Sequence, residues 1–157
     1  MAACNAKSKA MEVLKEHWNY QLPVDPIAIA SALGVEVLKS PSIGVDGAFI
    51  EENGRKAIVL REFSNSNRER FTIAHELGHA CLGHGFSLRD PSVDYDLTNF
   101  NPEERDANYF AAELLMPEPV LRHVVIERKI TDLAELCKLF GVSSAALSIK
   151  LKSSGLI

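Results

Sequence analysis

The chain has little of what would take it outside an ordinary globular fold. Its 157 residues include only three cysteines, Cys4, Cys81 and Cys137. The count is odd, the spacings are wide and no CxxC pair occurs. A disulfide framework, a cysteine zinc site and a redox motif are therefore all unsupported, and a reducing compartment fits such usage. No apolar run approaches the roughly 20 residues needed to span a bilayer. Near the N-terminus, Asn5, Lys7, Ser8 and Lys9 interrupt any apolar core of a secretory signal. An excess of one charge is also lacking. Seventeen basic and 21 acidic side chains leave a net charge of −4, with no general pull toward nucleic acid or anionic membrane. Repeats and low-complexity segments are absent. We therefore expect a cytoplasmic protein, off the membrane, that folds over residues 1–157 as a single domain.

What is present reads as an α+β pattern. Ala10, Met11, Leu14 and Trp18 recur at helical spacing over residues 7–18. Asp25 and Pro26 open a short helix over 27–33, with Gly34 placed to end it. Residues 35–38 alternate as a strand does. Gly44 and Gly47 suggest a turn. Residues 48–50 and 56–60 read as two strands joined by a tight Asn53-Gly54 turn. The three strands are expected in one small antiparallel sheet. Ser64 or Ser66 could cap a helix over 67–82, which Gly83 and Gly85 would stop. Residues 86–100 show no period and read as a long loop. Asn101, Pro102 and two following acids start a helix that Pro117 ends at Met116. Three further helical stretches cover 119–128, 132–140 and 143–152.

The feature that carries chemistry is His75-Glu76-Leu77-Gly78-His79. On a helix, residues four apart share a face, so two imidazoles can converge on one zinc ion at about 2.0–2.1 Å each. Glu76 is rotated about 100° from His75 by the 3.6-residue period. It is placed to take a proton from a water that the metal acidifies, rather than to ligate. Phe71, Ile73, Ala74, Leu77 and Ala80 supply the helical, buried setting. An open catalytic site needs a third protein ligand. Asp90, Asp94, Asp96, Glu103, Glu104, Asp106 and Glu113 are acidic candidates. His84 is a further one, expected to point away beyond Gly83. Tyr95, Tyr109 and His123 are candidate donors to a developing oxyanion.

Two blocks resemble a known family. Residues 70–79, ending in the HExxH motif, fit many zincins. Residues 104–117, from Glu104-Arg105-Asp106-Ala107-Asn108 to Leu115-Met116-Pro117, are far more specific. Together they resemble the ImmA/IrrE family of metallopeptidases. The likeness covers most of the chain, including Val24-Asp25-Pro26 and the hairpin, and thins after about Val120. It implies a zincin-like core with a small three-stranded antiparallel sheet packed on the HExxH helix. It implies zinc held by His75, His79 and Glu104, with Asp106 the fallback for the third ligand and Glu76 the catalytic base. Asn108, one turn from Glu104, could orient that ligand. The resemblance also implies a regulatory endopeptidase. Its substrate would be a helix-turn-helix repressor in a phage, mobile-element or stress-response circuit. A second reading is a metal-bound regulator or toxin-antitoxin component acting by protein binding without proteolysis, with an antitoxin as its partner.

Residues 130–157 form a C-terminal helical hairpin that itself looks like helix-turn-helix, with Cys137, Gly141 and Leu147 in fitting places. Lys138, Lys150 and Lys152 are thin cover for phosphate contact. Direct DNA binding is therefore not expected, and the hairpin is expected to pack on the core or to dock a partner.

Overall fold

The computed structural model describes residues 2–41, 43–62, 65–84, 87–89 and 101–157. Helix α1 (Ala2–His17) starts earlier than its apolar period indicates. Helix α2 (Pro26–Ala32) begins as its sequence requires. The Asp25 side chain accepts the backbone N–H groups of Ile27 and Ala28, and Gly34 follows the helix at φ 77°. The left-handed conformation costs glycine nothing.

The α+β class is observed, but the sheet differs from the expected one. Among the described residues it is four-stranded and mixed, in the order β1-β3-β2-β4. Strands β2 (Gly47–Glu52) and β3 (Arg55–Leu60) form the antiparallel hairpin, with Asn53 and Gly54 both at positive φ. Strand β1 (Val35–Lys39) pairs with β3 in parallel, Val37 opposite Ile58. Because β3 inserts between β1 and β2, it runs with one and against the other. Consecutive strands in the sequence do not reveal this order. A short fourth strand, β4 (Ser87–Arg89), pairs with Gly47–Phe49 inside the stretch that reads as a loop.

Gly47 is a strand residue and not a turn. A Cβ there would lie 2.7 Å from Thr72 Cγ2, so the missing side chain lets β2 press on helix α3 (Ser66–Cys81). That helix is capped by Asn65, whose side chain accepts the N–H groups of Asn67 and Arg68, and Ser66 is its first residue; Ser64 lies outside the described residues. Every residue from Phe71 to His79 is buried. Phe49, Ile58 and Leu60 of the sheet fill the core beneath α3 together with Ile73 and Leu77. Helix α4 (Pro102–Leu115) packs against α3 and α1 and contributes Phe110, Leu114 and Leu115 to the same core.

Helix α5 (Glu118–Arg122) is short and runs on into a π-helical segment, His123–Glu127. Helices α6 (Leu133–Phe140) and α7 (Ser144–Ser153) form the hairpin, turning at Gly141 with φ 66°. Polar ties hold it to the core. Arg70 of α3 donates to the Gly141 carbonyl at 3.1 Å and to the Val24 carbonyl. Asn67 donates to the Val142 carbonyl. Lys150 is buried and meets Glu113 of α4 at 2.5 Å.

Helices α3 and α4 approach closely at Gly78. A Cβ there would stand 3.1 Å from Phe110 Cδ1 and 3.2 Å from the Ala107 Cα. The alanine backbone can yield only if α4 moves. Gly78→Ala is expected to destabilise the protein by about 1–3 kcal/mol through overpacking. A lowered midpoint in urea unfolding, with an unchanged slope, would show it.

Candidate metal centre

The site lies where α3 and α4 face each other. His75 and His79 project from one side of α3, and Glu104 from the first turns of α4. His75 Nε2 lies 2.9 Å from Glu104 Oε2, and His79 Nε2 lies 2.9 Å from Glu104 Oε1. The two Nε2 atoms are 3.2 Å apart. Three donor side chains thus converge. Among the described residues, His75, His79 and Glu104 form a group that could hold a metal ion. A tetrahedral ion with ligands at about 2.0–2.1 Å needs donors roughly 3.3 Å apart, close to the spacing found. The donor set fits.

The environment of the site is demanding. His75, Glu76 and His79 are at most 1% exposed. Titratable groups buried in this way are costly unless partnered, and their grouping makes this a candidate functional site. Burial pushes the Glu104 carboxyl up. The hydrogen bonds and charge of His75 and His79 outweigh it and hold the carboxyl well below the usual carboxylate range. Glu104 also follows Asn101, whose side chain accepts its backbone N–H at 3.3 Å. The acid at the helix start therefore has its backbone capped and its carboxylate turned to the histidines.

The family model described as IrrE N-terminal-like domain, of the peptidase M78 group, matches residues 30–152. The radiation response metalloprotease IrrE of Deinococcus radiodurans is 35% identical over 122 residues, covering 75% of this chain. The chain belongs to the IrrE N-terminal-like family. It spans 37% of the length of that relative. The family match reaches beyond Val120 to residue 152, and so takes in most of the C-terminal hairpin. The Val24–Pro26 segment lies before it. Membership of a metallopeptidase family implies a metal, and the His75, His79 and Glu104 donors are where this chain can hold one.

Other residues read from the sequence fall elsewhere. Asn108 reaches His75. Its Oδ1 accepts the Nδ1–H of His75 at 2.8 Å, and the residue is fully buried. His84 does not point away. Its Nδ1 lies 2.9 Å from His79 Nδ1, and Glu103 is 3.8 Å beyond. Burial and then His79 keep the His84 imidazole below its ordinary pKa, against Glu103, Asp106 and Glu104. Glu113 is taken by Lys150 and by the backbone N–H of Glu118. Asp106 is not part of the His75, His79 and Glu104 group, and its Oδ1 is buried with no hydrogen-bond partner among the described residues. Tyr109 is half-buried against the core, and His123 is exposed in the π-helical segment. Asp90, Asp94, Asp96 and Tyr95 lie outside the described residues.

Asn108 gives the first test of the site. An acceptor on Nδ1–H fixes a ligating histidine's tautomer and ring orientation, and its loss typically costs about 10–100-fold in metal affinity. Asn108→Leu keeps the bulk and removes the acceptor. Its affinity for zinc, read by competition with a chromophoric chelator, is expected to fall by about that factor.

Proposed function

We propose that the protein is a zinc-dependent endopeptidase in which His75, His79 and Glu104 hold the metal and Glu76 acts as general base. The convergence of two Nε2 atoms and one carboxylate carries this reading. Two imidazoles and a carboxylate are a donor set that suits zinc, and three protein ligands leave a fourth position open. A zinc ion there would supply Lewis acidity, polarising a peptide carbonyl and acidifying water.

The chain's own residues do the remaining work. Glu76 follows His75 on α3 and is buried with it. Its carboxylate takes a proton from water and returns it to the departing amine. His75 and His79 face Glu104 through Nε2, so each ring keeps its Nδ1 for a second partner. Glu104 brings negative charge to the pair and ties α4 to α3. The substrate we propose is a protein, specifically a helix-turn-helix repressor or an antitoxin, on the strength of the family resemblance. A cytoplasmic setting accords with the free thiols of Cys81 and Cys137. No described helix is long and apolar enough to cross a membrane. Direct reading of DNA by the C-terminal hairpin is disfavoured, because Lys150 is buried against Glu113 and so is withdrawn from phosphate contact.

Glu76→Gln separates a peptidase from a metal-bound regulator. The variant is expected to keep its zinc and to lose at least about 100-fold in the rate of repressor cleavage, the lower bound of general-base catalysis. Cleavage at the parental rate would remove Glu76 from the chemistry. A full biological effect without cleavage would favour action by binding.

A further inference from the structure

We propose that His84 is a positioning residue for the metal site, accepting the Nδ1–H of His79 so that His79 presents the bare lone pair of Nε2 to the metal. The proposal rests on the metal reading of His75, His79 and Glu104.

The backbone delivers His84 to this position. Helix α3 ends at Leu82, and Gly83 takes φ 73°. The N–H of His84 returns to the His79 carbonyl at 2.9 Å, and that of Gly83 to the Ala80 carbonyl at 3.4 Å. This pair of bonds is a Schellman ending. It folds the residue after the glycine back over the last turn, and that turn begins at His79. The side chain follows: the two Nδ1 atoms meet at 2.9 Å, and the ring centroids are 5.1 Å apart at 62°. The His84 side chain is only 13% exposed, so water competes weakly for the contact.

Proton counting fixes the direction of the bond. A neutral imidazole has one N–H and one lone pair. When His79 ligates through Nε2, the atom that faces Glu104 Oε1 and His75 Nε2, its lone pair is committed to the metal and the proton belongs on Nδ1. His84 Nδ1 must then accept, with its own proton on Nε2. The same logic serves His75, whose Nδ1–H donates to Asn108 Oδ1. Each histidine of the pair thus has its own acceptor, one from α4 and one from the end of α3. The count also disfavours a second cation among His79, His84 and Glu103, although these three lie close enough to suggest one. His79 has no second lone pair to give.

Two measurements test the role. The first uses the parent protein loaded with zinc. Long-range proton–nitrogen NMR correlations are expected to show His79 protonated on Nδ1 and His84 protonated on Nε2. A His84 ring protonated on Nδ1 would overturn the proposal. The second compares zinc affinity in two variants by chelator competition, alongside thermal unfolding of the metal-free forms. His84→Phe keeps a ring and removes the acceptor, and is expected to bind zinc about 10–100-fold more weakly while its metal-free form still unfolds in one cooperative transition. His84→Gln offers an amide oxygen and is expected to recover most of the affinity. Parental affinity in His84→Phe would sink the positioning role alone. A parent protein that binds no zinc would sink the metal reading and this inference with it.

Discussion

The site depends on two helices standing close enough for a single carboxylate to reach two imidazoles. Glu104 spans His75 and His79 at 2.9 Å each. Such reach requires α4 to lie almost against α3, and small residues make that possible. Gly78 sits between the two histidines and faces the Ala107 backbone, one turn from Glu104. The HExxH pattern therefore does two jobs on one turn of helix. Its histidines carry donors, and the glycine at its fourth position sets the distance to the helix that supplies the third.

Burial makes the arrangement costly and specific together. An imidazole or carboxylate without water must be satisfied by protein or by metal. His75 finds Asn108 on one side and Glu104 on the other. His79 finds His84 and Glu104. The polar network is fixed from outside by ordinary packing: β2 against Thr72 at Gly47, and Phe110 against Gly78. Farther out, Arg70 and the Lys150–Glu113 pair fasten the C-terminal hairpin to the helices that carry the donors. A buried ion pair contributes little net stability, though loss of one partner is expensive. Its more useful effect here is to hold α7 in register on α4.

Much of this was legible in the residues, for reasons that are local. Helix starts at Asp25, Asn101, Asp132 and Ser143 announce themselves through side chains that accept backbone N–H groups. Asn53-Gly54 announces its turn through positive φ. The spacing of His75 and His79 places both on one face. Glu104 needed the family resemblance, because an acid three residues after Asn101 reads equally well as part of a helix cap. What stayed hidden was set by contacts distant in sequence. The parallel pairing of β1 with β3 depends on strand order, which alternation cannot report. Gly47 looked like a turn because a glycine needed for close approach carries the same letter as one needed for a bend. His84 was misjudged from a correct observation. Gly83 does end the helix, but a left-handed ending folds the chain back where a simple stop would send it outward. The contact of Asn108 with His75 was missed because it comes from the facing helix and not from a neighbouring turn of α4.

The central claim is that His75, His79 and Glu104 together make one metal cage from two helices. Elemental analysis of the purified protein beside His75→Ala and Glu104→Ala tests it most directly. The cage requires close to one zinc per chain in the parent and its loss from both variants, each still folded by circular dichroism. A folded Glu104→Ala protein that kept its full complement of zinc would contradict it.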